Sequence, residues 1–286
     1  MDILKRSLAP IVQDAWNEID EQARTTIKQV LAGRRVVDVK GPMGWEFNAA
    51  PNGTISLAEE TPVEGVTYGI RDVLPLVEYR VPFTMPMWDL DDISRGCKTV
   101  DFAPVQDAAR KAALFEDTAV FQGLEEAWIT GLEIEAGNAP INMEFDDESI
   151  IEALAHAVQT MADQNVEGPF AFVCPLPLWT KIQTSTKVYP LKKRIAAIIG
   201  EESRIVLSSQ YPTAMLISVR GGDTELTVGQ DFSVGYQSHT NTDVNFYITG
   251  SFTFRVLAPE AILQFTLPDA KKPAKKAAAK KEPEKK

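Results

Sequence analysis

The chain has 286 residues, and 44% of them are hydrophobic, which is enough to fill the core of one large domain or two modest ones. The formal net charge is −11, and because residues 271–286 hold eight lysines and two glutamates, residues 1–270 carry −17, which argues against nucleic acid as the main partner. No apolar run is long enough for a membrane span or, near Met1, for a secretion signal, so we expect a cytoplasmic protein without a membrane partner.

The first predicted element is an amphipathic helix of about 22 residues. Pro10 is well placed at its start, and Gly33 is a natural C-terminal stop. The apolar residues that follow 3–4 spacing are Ile11, Val12, Trp16, Ile19, Ala23, Ile27, Val30 and Leu31. We expect this stripe to pack on its own domain; the alternative is that Ile27 and Leu31 help to form a groove for a partner segment.

The next stretch predicts little regular structure. Residues 36–39 indicate a short strand, and residues 48–65, rich in Pro, Gly, Asn and Glu, indicate an extended excursion away from the core. Residues 77–85 then alternate apolar and polar side chains, and Pro82 and Pro86 restrict this strand to a sheet edge or a ribbon. Such an apolar edge needs a neighbour, from the same chain or from another copy.

Helices alternate with short strands in the middle of the chain. A second helix is predicted from Pro104 to Gly123, and a third begins at Asp146 and Asp147. The shorter elements are a buried strand over 170–174, helical pieces over 178–182 and 191–199, strands over 205–207 and 214–219, and a tight turn over 220–223.

The strongest pattern lies near the end of the chain and predicts a long antiparallel ribbon. One strand carries Val244, Phe246, Ile248, Phe252, Phe254 and Val256 on one parity. The upstream strand repeats the pattern with Leu226, Val228, Phe232, Val234 and Tyr236, and residues 237–242 supply the turn. Gly250 interrupts the apolar face, so we expect a bend or bulge there.

Residues 268–286 form a lysine-rich tail that Pro273 and Pro283 prevent from continuing as a helix, so we expect it to be disordered. We interpret the tail as solubilising. The alternative is a weak, salt-sensitive contact with anionic surfaces.

Motifs for catalysis are absent. The sequence contains no G-x-G-x-x-G, no P-loop and no H-E-x-x-H, and Cys97 and Cys174 are too few and too far apart for a metal site or disulfide framework. His156 and His239 are typical of solvated histidines. The adjacent carboxylates Glu116–Asp117, Glu125–Glu126 and Asp146–Asp147 do not share one helix face, so we interpret them as surface charge or caps. An enzyme is therefore the less favoured hypothesis, and no metal is expected.

Several short motifs occur in a characteristic order and spacing. They are residues 4–7, 9–10, 33–34, 37–39, 41–42, 44–45, 74–76, 83–84, 88–91, 115–117, 189–191, 220–223, 229–231 and 234–236. With this set, the chain resembles an encapsulin, the shell protein of bacterial and archaeal nanocompartments, over residues 1 to about 267. The lysine-rich tail is outside the common family pattern.

The resemblance implies an α+β fold like that of the major capsid protein of tailed bacteriophages, whose subunits close into an icosahedral shell, here of about 60 copies. The implied divisions are an N-terminal helix and arm at 1–47, an extended loop at 48–82, a peripheral domain at 83–136 and 224–267, an axial domain at 137–223, and the tail at 268–286. The extended loop would pair with a neighbouring subunit. A pore loop near the fivefold axis would consist of Thr186, Lys187, Val188, Tyr189, Pro190 and Leu191.

The resemblance also implies partners, because family shells enclose cargo enzymes whose C-terminal peptides dock on the inner wall. Common guests are ferritin-like proteins and dye-decolorising peroxidases, which connect such shells with iron storage and oxidative stress. By position, the candidate residues for peptide binding are Ile27, Leu31, Arg34, Asp38, Val39, Asp231 and Val234. Apolar side chains would supply affinity, and Arg34 and Asp38 would fix the direction of the peptide.

Three other interpretations stay open. A virus capsid protein shares the implied fold, although the acidic body disfavours it. A bacteriocin or peptidase activity has been attributed to relatives, but no nucleophile and base support it here. Finally, Trp88 beside Arg80 could stack a planar anionic ligand such as a flavin, with plain packing of Trp88 as the alternative; otherwise no cofactor is expected.

Overall fold

A computed structural model describes residues 3–185, 189–209 and 211–268. Within these ranges the chain forms two five-stranded sheets and a separate two-stranded hairpin, with helices packed against both sheets. Helices and strands thus mix in the α+β arrangement that was predicted. The lysine-rich tail from residue 269 onward lies outside the described residues, so its predicted disorder stays a prediction.

The front helix, α1, spans Gln13–Val30 and is 18 residues long. It begins three residues after Pro10, because Val12 still has extended backbone, and it ends before Gly33, which opens a short 3-10 turn at Gly33–Arg35. The predicted start at Pro10 was therefore wrong. The predicted stripe was right in its interior, where Trp16, Ile19, Ala23 and Ile27 are buried against the rest of the domain.

The first sheet is organised around one long central strand. Its members are β1 (Val39–Lys40), β4 (Val77–Pro86), β9 (Thr224–Val228), β10 (Ser233–His239) and β11 (Asp243–Val256). On one side β11 pairs with β4 along Asp243–Phe252; on the other it pairs first with β10 and then with β9, all antiparallel. The predicted ribbon is confirmed, and β4 takes the edge position that its prolines indicated.

Gly250 does not bend β11, whose pairing with β4 continues through this residue in register. A Cβ atom at Gly250 would lie 2.7 Å from the hydroxyl of Tyr79, so glycine is needed there for close approach. The irregularity lies instead in the neighbouring strands: residues 229–232 separate β9 from β10, and the register shifts again between Tyr236 and Ser238. The predicted bend at Gly250 was thus assigned to the wrong strand.

Two helices cover one face of the first sheet together with α1. They are α2 (Met87–Ser94), which directly follows β4, and α3 (Ala103–Phe121). The predicted helix near 104–123 is confirmed, and its alanines at 108, 109, 112 and 113 are buried, which allows α3 to approach α1 closely. The strand predicted over 36–39 is reduced to Val39–Lys40, because the 3-10 turn Gly33–Arg35 and its C-cap Val36 precede it.

The second sheet has strand order β5–β12–β8–β6–β7. These strands are β5 (Ile141–Asn142), β6 (Phe170–Cys174), β7 (Arg204–Leu207), β8 (Ala214–Ser218) and β12 (Ile262–Thr266). The associated helices are α4 (Leu132–Glu135), α5 (Asp147–Asp163), α6 (Leu176–Thr184) and α7 (Leu191–Ile199). A shared apolar core joins this sheet to β9 and β11 of the first sheet.

Most elements of the second sheet match the prediction, including the start of α5 at Asp147 with Asp146 as its cap. One strand pairs across the predicted division of the chain: β12, from residues 224–267 assigned to the peripheral domain, pairs with β8 of the predicted axial segment. The domain division itself stays a prediction.

Residues 49–75 form the β2–β3 hairpin, which pairs Ala49–Leu57 with Gly69–Pro75 in antiparallel register outside both sheets. This is the excursion that the composition of residues 48–65 indicated. Its strands are largely exposed, and seven large apolar residues of the hairpin are exposed as well: Ile55, Leu57, Val63, Val66, Tyr68, Ile70 and Val73. Across the described residues, no helix combines the length and apolarity needed to cross a bilayer.

Candidate functional site

A groove of about 540 Å³ lies between α1 and β10 and is also lined by residues of the N-terminal segment. We call it the α1 groove. Its lining residues are Leu4, Arg6, Asp20, Ala23, Arg24, Ile27, Lys28, Leu31, Arg34, Asp231, Phe232, Ser233, Val234 and Ile248. Five of the seven residues predicted for peptide binding are among them, namely Ile27, Leu31, Arg34, Asp231 and Val234.

The base of the α1 groove is apolar. Ala23 and Ile27 are spaced by four residues on one side of α1, and Leu31, four residues further on, is the residue that caps its C-terminal end. Val234 and Ile248, which pair with each other in the sheet, face them from β10 and β11. Ile27 and Leu31 are only 8% and 9% exposed, so their side chains lie at the bottom of the groove rather than on its rim.

The N-terminal segment forms one wall of the groove, which the sequence analysis did not predict. The backbone N–H of Tyr236 donates to the carbonyl oxygen of Leu4 at 2.8 Å, and the Tyr247 hydroxyl donates to that of Ile3 at 3.2 Å. Arg6 donates to Asp20 at 2.7 Å and stacks 4.1 Å from the Trp16 ring centroid. Most of these contacts join residues distant in sequence, so no local sequence pattern predicted them.

Arg34 forms ion pairs with two carboxylates of its own chain. It donates to both oxygens of Glu116, at 2.6 and 2.8 Å, and to Asp231 at 2.8 Å, and it lies 4.7 Å from the Phe232 ring centroid. Burial disfavours its charge, but the hydrogen bonds and attraction of Glu116 and Asp231 outweigh burial and raise the pKa of Arg34. Arg34 therefore shapes the groove, and its predicted role in fixing peptide direction stays untested.

The carboxylates Glu116 and Asp117 are both buried, contrary to the interpretation as surface charge or caps. Glu116 is held by Arg34, whereas Asp117 accepts hydrogen bonds from the backbone N–H groups of Ala32, at 2.9 Å, and Gly33, at 2.7 Å. Burial raises the pKa of Asp117 to about 7, against the opposing effect of these two hydrogen bonds. For Asp146 the interpretation as a cap is confirmed.

The remaining two candidates for peptide binding, Asp38 and Val39, lie outside the α1 groove. The carboxylate of Asp38 accepts a hydrogen bond from the backbone N–H of Gly222 at 2.6 Å. Val39 belongs to β1 and pairs with Leu226 of β9. Both residues therefore stabilise the connection between the 3-10 turn and the first sheet, and the structure does not bring them together with the other five.

The structure describes three of the six residues of the predicted pore loop. Thr186, Lys187 and Val188 lie outside the described residues. Tyr189 is exposed, Pro190 precedes the first turn of α7, and Leu191 is buried in the core of the second sheet. Whether these residues line a pore stays a prediction.

The two residues predicted to stack a flavin occupy different elements. Trp88 lies on α2 with 72% of its surface exposed, and the guanidinium of Arg95 is 6.0 Å from its ring. Arg80 lies on β4 and stacks on Tyr247 at 4.8 Å. The seven strand residues from Arg80 to Pro86 span about 20 Å, so the two residues lie far apart along the chain. The flavin stays a prediction.

Comparison with known proteins identifies relatives over nearly the whole chain. The model of the Linocin_M18 family, described as "Encapsulating protein for peroxidase", matches residues 1–253. A type 1 encapsulin shell protein of Rhodospirillum rubrum is 40% identical over 268 residues, covering 91% of this chain and 95% of its own. Those of Rhodococcus erythropolis and Mycobacterium tuberculosis are 38% and 34% identical, covering 92% and 91% of this chain and 99% and 98% of their own.

Solved structures share the fold at low sequence identity. The virus-like particle of Pyrococcus furiosus superposes with a TM-score of 0.62 at 14% identity, covering 87% of this chain and 98% of its own. The structure of Mycobacterium phage Bobi superposes with a TM-score of 0.53 at 12% identity, covering 85% of this chain and 90% of its own. The predicted capsid-like fold is thereby confirmed, and with the matches above the chain belongs to the family of type 1 encapsulin shell proteins.

Proposed function

We propose that this protein assembles in the cytoplasm into an icosahedral shell of about 60 copies that encloses a cargo enzyme. The α1 groove would hold the C-terminal peptide of that enzyme, a peroxidase or a ferritin-like protein. The shell itself would perform no catalysis, so that oxidative-stress protection or iron storage would belong to the cargo. Membership of the shell-protein family supports the capsid-like compartment; the cargo, the copy number and the peptide contact are the proposed parts.

The main support for the proposed assembly is the set of exposed apolar residues on the β2–β3 hairpin. Ile55 and Leu57 lie on one face of the hairpin, while Ile70 lies opposite Ser56 on the other face, and all three are exposed. Burying one such side chain is worth about 1.5–3 kcal/mol. A hairpin with apolar residues on both faces and no cover from its own chain is suited to packing between neighbouring subunits.

The α1 groove supports peptide capture. Its apolar base matches apolar side chains of an incoming segment, and three or four buried side chains at about 1.5–3 kcal/mol each are enough for micromolar affinity. The groove is lined along one side of α1 and by the facing strands β10 and β11, an arrangement suited to a peptide segment.

The test of cargo binding is Ile27→Asp, which places a carboxylate at the apolar base. We expect shells to remain intact in electron micrographs while the co-purifying cargo, identified by mass spectrometry, is lost. Gln29→Asp, which adds the same charge at an exposed position of α1 outside the groove, is the matched control. Ile27→Gln is a milder second variant, because it adds no charge.

Wild-type cargo loading in both Ile27 variants would place the peptide site elsewhere. Electron microscopy of the wild-type particles also tests the copy number. A virus capsid protein remains the second candidate, since phage Bobi shares the fold; nucleic acid packaged inside purified shells would favour it.

A further inference from the structure

Two adjacent carboxylates of α3 hold the segment that joins two lining residues of the α1 groove. Leu31 and Arg34 line the groove, and the residues between them, Ala32 and Gly33, are fixed by Asp117 through their backbone N–H groups. Glu116 fixes Arg34 itself by a two-point ion pair. The base of the groove is therefore set by residues that do not line it.

The contact of Asp117 with this segment depends on close approach. A Cβ atom at Gly33 would lie 3.0 Å from Oδ1 of Asp117, a distance that leaves little room for a side chain. The carboxylate is also almost completely enclosed, with 1% of the residue exposed. Its hydrogen bonds are thus protected from water, and a change in its charge acts directly on the backbone of residues 32 and 33.

The charges around Asp117 are unbalanced. Glu116 neighbours it on α3, Arg34 faces it from the 3-10 turn, Asp231 reaches Arg34 from the segment between β9 and β10, and Tyr79 packs from β4. Burial raises the pKa of Tyr79 far above neutrality, so this hydroxyl stays uncharged. Arg34 forms ion pairs with Glu116 and Asp231 rather than with Asp117. Burial raises the pKa of Glu116, an effect that Arg34 opposes, and it raises the pKa of Asp117 to about 7, so Asp117 changes charge near neutral pH.

We propose that Glu116 and Asp117 are positioning residues of the α1 groove, and that the groove binds peptide more tightly as Asp117 loses its proton. This inference rests on the proposed peptide capture. An ionised carboxylate accepts stronger hydrogen bonds from Ala32 and Gly33 than a neutral acid does, so deprotonation orders the segment that places Leu31 and Arg34. A cargo would accordingly be held more firmly at slightly alkaline than at slightly acidic pH.

The first measurement monitors the backbone of residues 32 and 33 in the absence of any ligand. Hydrogen exchange at the amides of Ala32 and Gly33 through local fluctuations that leave Asp117 buried, corrected for the intrinsic dependence on pH, is expected to slow by about fivefold between pH 6 and pH 8. Asp117→Asn, which keeps the shape of the acid but cannot ionise, is expected to show no such step. A step that persists in Asp117→Asn, or is missing from the wild type, would overturn the positioning role.

The second measurement uses a fluorescent synthetic copy of the C-terminal peptide of the most abundant protein that co-purifies with the shells. Its affinity for purified full-length protein should rise by about fivefold from pH 6 to pH 8 in the wild type. In Asp117→Asn it should stay at the low-pH value throughout. Glu116→Gln should move the midpoint below pH 7, because the charge of Glu116 raises the pKa of Asp117.

Stability separates positioning from a purely structural role. The pKa of Asp117 in the folded chain, about 7, exceeds its ordinary value of 3.8, so its contribution to stability is lost as pH rises between these values. Asp117→Asn should therefore raise Tm at pH 8 while weakening peptide binding, whereas a structural defect would lower both. Failure of the wild-type peptide to bind at any pH would overturn the proposed function, and the exchange experiment would still decide the positioning role.

Discussion

Large apolar residues are exposed along the β2–β3 hairpin but buried along the central strand of the first sheet. Along β11, alternate side chains such as Phe246, Ile248 and Phe252 are fully buried by elements of the same chain. Along the hairpin, Leu57 and Ile70 remain 71% and 68% exposed. The apolar residues of β11 are therefore covered within one subunit, whereas the hairpin is suited to contacts that a second copy provides. The comparison separates the residues that fold the chain from those that we propose assemble it.

The largest expected effect is on assembly. In the double variant Leu57→Asp/Ile70→Asp, each face of the hairpin carries a charge that a subunit interface would bury without a partner, which is strongly unfavourable. We expect particles to disappear from size-exclusion chromatography and electron micrographs, while the circular dichroism of the dissociated chain stays native. Thr61→Asp, which charges an exposed polar position of the same hairpin, should leave assembly unchanged.

Normal particles in the double variant would show that the hairpin is not an interface. Loss of secondary structure in the dissociated chain would show instead that the hairpin contributes to folding, and the distinction drawn above would fail.

The second expected effect is on folding. Phe246 is fully buried, stacks on Phe83 at 5.3 Å and meets the edge of Trp16 at 5.4 Å. Phe246→Ala should lower the free energy of unfolding by about 3–5 kcal/mol, because it leaves a cavity and removes both ring contacts. Denaturant unfolding should be measured in the Leu57→Asp/Ile70→Asp background, since assembly by itself stabilises the folded chain.

Phe246→Leu is the matched control and should cost less, because it keeps most of the buried volume. If Phe246→Ala cost less than 1 kcal/mol, roughly the effect of a surface substitution, the first sheet would not be the stable part of the comparison.

Local sequence patterns predicted those parts of the fold that depend on local periodicity. The alternation over residues 244–256 gave the central strand, and the spacing of alanines after Pro104 gave α3, because burial on one face imposes a regular period. The start of α1 was placed too early, since Ile11 and Val12 continue the apolar spacing although their backbone is not helical. Period alone does not fix where a helix begins.

The site was predicted only in part, and the residues that were missed are those that act over long sequence distances. The resemblance to encapsulins suggested Ile27, Leu31 and Val234 for peptide binding, and the three residues line one groove, while their role in binding stays a prediction. The partners of Arg34 are 82 and 197 residues away, so the burial of Glu116 and the role of Asp231 had no local signature. Asp38, which is close to Arg34 in sequence, instead binds the turn at Gly222.

The smallest expected effect concerns the N-terminal end of α5, a helix associated with the second sheet and outside both the hairpin and the α1 groove. The side chain of Asp146 accepts hydrogen bonds from the backbone N–H groups of Glu148, at 3.1 Å, and Ser149, at 3.0 Å, and in return the Ser149 hydroxyl accepts from Glu144 N–H at 2.9 Å. Asp146→Ala should lower the free energy of unfolding by about 1 kcal/mol without affecting assembly. Asp146→Asn keeps the acceptor and should change stability by only a few tenths of a kcal/mol. An equal loss in both variants would assign the effect to the negative charge near the start of α5 rather than to the hydrogen-bonded cap.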